Sequence, residues 1–388
     1  MWFFGQMASL FGTWMQSTAQ GYLVYELTHS AVYLGIVGFA AGIPSWIFML
    51  YGGVVSDRMS RRKLLVITQT TMMVLAAILA VLSFLGWVQP WHIIVLAFLL
   101  GVANAFDMPA RQSFTLEMVE REDLGNAIAL NSAMFNTGTA IGPAMAGLAY
   151  ASLGAAWCFT INAISFLAVI AALLRMQLKP TVNQPLRGSH FENLKEGLKY
   201  VKGHSVIRSL ITILGVTTLL GASFATLIPE WAVNILGGDA TTNGLLQSAR
   251  GVGSLIGALT IATLGRFHFH GKLLSLGMFM MPFFLILFGF TRWLPFSLIL
   301  LVGVGMGMMF QFNMCNTLVQ SLSPDNLRGR VMGIYSLMFM GLMPVGSLMF
   351  GFLADTIGSP DTIITCSALL LVFATLIWFF NPQVKRQK

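Results

Sequence analysis

The stretch GGVVSDRMSRRKLL, Gly52 to Leu65, holds five charged side chains in seven consecutive positions: Asp57, Arg58, Arg61, Arg62 and Lys63. A carboxylate beside guanidinium groups makes strong charge-assisted hydrogen bonds. Contacts of that kind can form and break as an ionic latch. Four further ionisable groups stand in apolar surroundings, where a charge is costly and points to function. Asp107 and Arg111 are one helical turn apart around Pro109. This spacing suits a structural pair, a partner for the charged loop, or a proton site. Glu230 and Arg250 invite two readings, a mutual ion pair, or an anion site at Arg250 with Glu230 exchanging protons. Glu26 is a further proton candidate. Metal chemistry has no basis: the histidines are scattered, and Cys158, Cys315 and Cys366 sit in apolar runs without ligand spacing. No GxxxxGK[ST] loop is present, so ATP is not the expected energy source. No cofactor is expected.

These groups need a scaffold, and composition restricts it. Of 388 residues, 56% are hydrophobic and only 9% charged, against about 25% charged in a soluble domain. Mean hydropathy is +0.77. Apolar runs long enough to cross a bilayer recur twelve times, at about 2–25, 31–56, 64–86, 91–116, 126–150, 157–175, 206–230, 241–265, 272–290, 295–320, 328–353 and 362–380. The runs are too long for β-barrel strands, so the expected fold is an all-α integral membrane protein with twelve transmembrane helices. The first run lacks a basic lead-in and reads as a retained span of a chain whose natural start lies upstream. The net charge of +8 follows the loops rather than one face, which excludes nucleic acid as a partner.

Basic residues in short loops orient such a chain. With the N-terminus inside, 20 of the 22 Lys and Arg fall on the inner side; Arg292 and Arg250 are the exceptions. Both termini are therefore expected in the cytoplasm, in a multi-pass protein of the cytoplasmic (inner) membrane. An internal repeat supports two bundles of six. Gly142, Gly147 and Gly154 recur as Gly346, Gly351 and Gly358, and Gly35 and Gly42 as Gly244 and Gly251, at offsets of 204 and 209. The expected organisation is an N-terminal bundle (1–178), a cytoplasmic linker with an amphipathic helix (179–204) and a C-terminal bundle (205–388). Phe191, Leu194, Leu198 and Val201 mark the apolar side of the linker helix.

The charged loop resembles the signature between the second and third helices of the major facilitator superfamily. Gly53, Asp57, Arg58, Arg61 and Arg62 take its places, and Ser60 stands where a glycine is usual. The segment from Ala105 to Gly147 resembles the branch of enterobactin exporters and drug and macrolide efflux carriers; Thr139 replaces an arginine frequent there. The resemblance implies that Asp57 docks near Leu327 to Arg330, with Arg328 and Arg330 as gate partners, and that Arg61 meets an acid of the fourth span, for which Asp107 is the candidate. Gly138, Gly142, Pro143 and Gly147 follow the antiporter motif, with Ala146 and Ala129 at two positions usually held by glycine. That motif implies export.

By the same resemblance, spans 1, 4, 7 and 10 line a central path. Gln16 and Gln20, with Ser9 and Thr13, form a polar stripe on span 1, and Gln311, Asn313 and Asn316 mark span 10. Scattered neutral polar groups among aromatics and 24 methionines suit a broad amphipathic ligand, since methionine adapts its shape. The expected function is secondary active export of small amphipathic molecules, of drug or siderophore type, by proton antiport and alternating access. The expected partners are a small-molecule substrate, protons and the lipid bilayer, and the expected state is a monomer. Rival readings are a dedicated exporter of a siderophore or acidic metabolite, a lysolipid flippase, and a non-transport receptor. An enzyme is not expected, because no cluster of His or carboxylates is present.

Overall fold

The computed structural model describes residues 2–118, 123–176, 190–264 and 269–381. Every element among the described residues is a helix, as a bilayer requires of a chain that must satisfy its own backbone groups. The first six are α1 (Trp2–Thr28), α2 (Ala31–Arg58), α3 (Arg61–Phe84), α4 (Pro90–Met118), α5 (Leu124–Leu153) and α6 (Ala155–Arg175). The linker helix is α7 (His190–Gly203). It is followed by α8 (Ser205–Leu220), the short α9 (Ile228–Glu230), α10 (Ala240–Leu264), α11 (His270–Phe290), α12 (Leu294–Leu322), α13 (Arg328–Ile357) and α14 (Ser359–Phe380). Ten described segments are long and apolar enough to span a membrane, with α8 and α9 counted in one segment, Ser205–Ile235. The 27-residue α1 and the 30-residue α5 complete the twelve. Large apolar side chains such as Leu148, Ile164, Ile299 and Phe379 are exposed, a surface that water-soluble monomers avoid and lipid covers.

The seventh span departs from the straight helix its apolar run suggests. After α8 the chain tightens into a 3₁₀ turn, Ala222–Leu227, and after α9 it widens into a π turn, Trp231–Ile235. Pro229 lacks the N–H a regular helix would use here. The Ser223 hydroxyl lies 2.9 Å from the Thr218 carbonyl and 3.3 Å from that of Met343, an arrangement that serves a carbonyl left free by the break.

Two compact units emerge. Unit 1 comprises 1–29, 36–187 and 238–245; unit 2 comprises 30–35, 188–237 and 246–388. In unit 1, Leu65, Ala110, Phe114, Val169 and Leu173 form a core between α3, α4 and α6. In unit 2, Trp231 stacks on Phe288 with ring centroids 4.5 Å apart, inside a core that includes Phe224, Leu301 and Phe350. The linker helix α7 belongs to unit 2. A Cβ on its Gly197 would stand 3.0 Å from the Arg330 carbonyl oxygen, and Val201 is buried with Leu318 and Val331. Leu198, expected on the apolar side, is exposed instead. Gly197 and Val201, four apart, make the contact because the missing side chain lets the two backbones approach.

The internal repeat is carried into three dimensions by close backbone contacts. A Cβ on Gly351 would lie 2.7 Å from the Ala31 oxygen, and one on Gly147 would lie 2.5 Å from the Ala240 oxygen. Gly35 meets the Ser347 oxygen as Gly244 meets that of Pro143, and Gly101 meets Ala41 as Gly305 meets Arg250. Gly154 and Gly358, each a one-residue link between helices, have φ of 86° and 87°, a conformation open to glycine at little cost.

Candidate functional site

The charged loop is built from two helix ends. Gly53, Asp57 and Arg58 lie on the last turns of α2; the side chains of Asp57 and Arg58 fall outside the described residues, so the expected docking of Asp57 near Leu327 to Arg330 does too. Ser60 begins α3 as its N-cap, with φ −60° and ψ 127°, and its hydroxyl accepts from the Lys63 N–H at 3.3 Å. Serine in place of the usual glycine thus serves a free N–H of the helix start. Arg61 opens α3. Arg62 donates to the Leu174 carbonyl at 2.6 Å and to the Met176 carbonyl at 3.0 Å. Those carbonyls belong to the end of α6, where unsatisfied acceptors and the helix dipole favour a cation.

Asp107 is 1% exposed, and both carboxylate oxygens are engaged. Oδ1 accepts from the Thr68 hydroxyl at 2.7 Å and from Gln69 Nε2 at 2.8 Å; Oδ2 pairs with Arg111. Thr68 and Gln69 lie on α3, so the acid ties α4 to α3. A cation and two neutral donors together offset the cost of burying the carboxylate. On unit 2, Arg328 pairs with Asp325 at 2.7 Å and donates to the Gln320 carbonyl at 3.1 Å. Arg330 pairs with Glu196 of α7.

Glu230 and Arg250 do not pair. Glu230 ends α9 just before the π turn, and its Oε2 accepts from the Ser359 hydroxyl at 2.5 Å. Asn234 is its other hydrogen-bonding neighbour. Arg250 sits ten residues into α10, about 15 Å along the axis from its start. Among the described residues no hydrogen bond or ion pair reaches its half-buried guanidinium. The equivalent position of the first repeat is Ala41. Glu26 stands 204 residues before Glu230, the same offset as the repeated glycines, and it too accepts from a hydroxyl, that of Tyr150.

The neutral polar candidates divide. Gln16 is buried and accepts from Asn162 of α6 at 2.6 Å. Gln311 is buried and donates to Thr217 of α8. Gln20 is buried as well. Asn316 accepts from Gln320 one turn on. Asn313 is half-buried and has no side-chain partner among the described residues.

In α5 the small residues face two neighbours. Cβ atoms on Gly138 and Gly142 would lie 3.0 Å from Leu10 Cδ2 and 2.6 Å from Trp14 Cβ of α1. Pro143 and Gly147 face Gly244 of α10. Thr139 turns its hydroxyl onto the Phe135 and Asn136 carbonyls of its own helix, at 3.0 and 2.8 Å. Among the described residues no group of His, Cys, Asp and Glu could hold a metal ion.

A family profile described as transmembrane secretion effector matches residues 1–387. The chain belongs to this family of major facilitator transporters. It is 25% identical to the staphyloferrin A transporter of Staphylococcus aureus, over 99% of this chain and 96% of that one. The multidrug efflux pump Tap of Mycolicibacterium fortuitum is 26% identical, over 94% and 90%. An enterobactin exporter of Salmonella choleraesuis is 26% identical, over 84% and 78%. The fold matches the crystal structure of a D-xylose–proton symporter with a TM-score of 0.78 at 15% identity, covering 99% and 98% of the two chains. It matches the crystal structure of a mutant nucleoside transporter NupG with 0.77 at 14%, covering 96% of each.

In this major facilitator transporter the residues missed by sequence reading are Thr68, Gln69, Tyr150, Glu196 and Ser359. Each is an ordinary polar residue whose role comes from a partner on another helix. The family consists of transporters, not enzymes, and the chain is a multi-pass membrane protein.

Proposed function

We propose that this chain is a proton-coupled exporter of small amphipathic molecules, of the drug or siderophore type named among its relatives. It works by alternating access as a monomer, with both termini in the cytoplasm. The substrate enters from the cytoplasm or the inner leaflet. Glu230 carries the proton, and the loop from Gly53 to Lys63 biases the equilibrium between the two access states, with Asp57 as its acid.

The observation that carries the assignment of Glu230 is its setting. Its partners, Ser359 and Asn234, are neutral, and among the described residues no cation pairs with it. Neutral partners leave the acid free to exist with or without its proton. Asp107, held by Arg111, Thr68 and Gln69, has a structural role in this reading. The break at Pro229 and the π turn beside Glu230 supply irregular backbone, a frequent feature of functional positions.

The guanidinium of Arg250, which has no hydrogen-bond or ion-pair partner among the described residues, favours one narrower reading, in which the exported molecule carries an acid group that Arg250 holds. Purified protein in proteoliposomes is expected to expel substrate when a pH gradient is imposed. Glu230→Gln should lose gradient-driven movement while retaining substrate exchange at equal pH on both sides. Transport indifferent to collapse of the gradient would reject proton coupling.

A further inference from the structure

Unit 1 contains an open cleft of about 410 Å³ where α1, α3, α5 and α6 meet. The volume lies within the roughly 300–1,000 Å³ of small-molecule sites. Leu23, Phe84, Val88 and Leu153 give it apolar walls, and Glu26 and Tyr150 supply the main polar groups. Glu26 is the single charged residue lining it among the described residues. The carboxylate accepts from the Tyr150 hydroxyl, which orients it. Tyr22 meets the Tyr150 ring edge-on, with centroids 4.9 Å apart, and braces that ring.

Among the described residues Glu26 has no ion pair. Arg61, Arg62 and Lys63 stand at the end of α3 opposite to Phe84, Arg175 at the end of α6 opposite to Ala155, and Arg111 is held by Asp107. A lone carboxylate beside aromatic rings, over apolar walls, attracts an organic cation through its charge and the faces of the rings. An anion is repelled. A hard metal ion would need about six oxygen ligands, which the lining lacks.

We propose that this cleft binds an organic ammonium group carried on an apolar body, with Glu26 holding the charge, Tyr150 and Phe84 flanking it, and Leu23, Val88 and Leu153 covering the body. The same chemistry occurs in a free amphiphilic amine and in the amine headgroup of a phospholipid. The site is independent of proton coupling through Glu230.

The test uses dansylcholine, a fluorescent ammonium, with neutral dansylamide as control, on the purified full chain in detergent. The parent protein should bind dansylcholine more tightly. Glu26→Gln should weaken dansylcholine about tenfold, the scale of one partly screened charge contact, and leave dansylamide unchanged; Glu26→Asp should retain the preference. Leu153→Trp, which fills the cleft, should weaken both probes and carries the test if Glu26→Gln does not fold. Dansylcholine binding undiminished in Glu26→Gln or in Leu153→Trp overturns the proposal. Nanodiscs separate the two sources. Competition by phosphatidylethanolamine but not phosphatidylglycerol, abolished by Glu26→Gln, assigns the cleft to the lipid headgroup; equal Glu26-dependent binding in both lipids assigns it to a free amine.

Discussion

The Cα of Gly244 lies 3.1 Å from where a side-chain carbon on Gly147 would stand, and that of Gly35 lies 2.9 Å from the corresponding point on Gly351. Two crossings of nearly bare backbone thus recur at repeat-related positions. Small residues drive such close packing in membranes, where dispersion replaces the hydrophobic effect. Gly147→Ala should therefore destabilise the protein by about 1–3 kcal/mol, the usual range for overpacking. Gly333→Ala, with nothing within 4 Å, should not. Melting of the purified variants in detergent checks the contrast.

Asp107→Asn should leave Arg111 without its carboxylate. Losing one partner of a buried pair costs about 3–5 kcal/mol. The lower end applies here, because Arg111 is 31% exposed. Asp107→Asn combined with Arg111→Gln should recover much of the stability and of the transport. A double variant that melts normally yet moves no substrate down a pH gradient would return Asp107 to the list of proton carriers.

Arg62→Gln should loosen the end of α6 by about 1 kcal/mol, the worth of a charge-assisted bond at a helix C-terminus. Arg62→Lys should restore part of it, because a point charge still meets the dipole. Thermal melting with each variant distinguishes the two.

Exchanging Arg330→Glu with Glu196→Arg should matter little to global stability, since exposed pairs contribute about 0–1 kcal/mol, and Glu196 is 55% exposed. Either single change should instead weaken the docking of α7 on α13, which Gly197 and Val201 still hold, and modestly speed proteolysis between His190 and Gly203. The double change should slow it again.

Arg250→Ala should remove transport of anionic substrates and spare neutral or cationic ones. A panel of matched substrates reads this directly. Equal loss across the panel would make Arg250 a structural group.

Much of the architecture was open to reading from residue order. Apolar runs announced the spans, because hydrocarbon demands about twenty apolar residues per crossing. Spacing also announced the Asp107–Arg111 pair, which lies within one helix. The break in the seventh span was not foreseen, although Gly221 and Pro229 stood in view; glycine and proline are common in membrane helices and do not alone specify a break. Residue order also left two readings of Glu230 and Arg250 open, a mutual ion pair or an anion site beside a proton-exchanging acid, and could not choose between them. Both residues are rare charges in apolar runs, and rarity says nothing about which faces meet.

Residue order alone established twelve crossings, the duplicated unit and the concentration of positive charge at one set of helix ends. Those properties depend on composition and on the cost of moving polar groups into lipid. Folding in three dimensions chose the partners: Ser359 for Glu230, 129 residues away, the α6 carbonyls for Arg62, and Tyr150 for Glu26. A bilayer makes most faces of each helix apolar, so the 3.6-residue pattern that marks an inward face in soluble proteins is largely erased. Which side chains meet is then set by close packing between helices, where a missing Cβ or a single hydroxyl selects the neighbour.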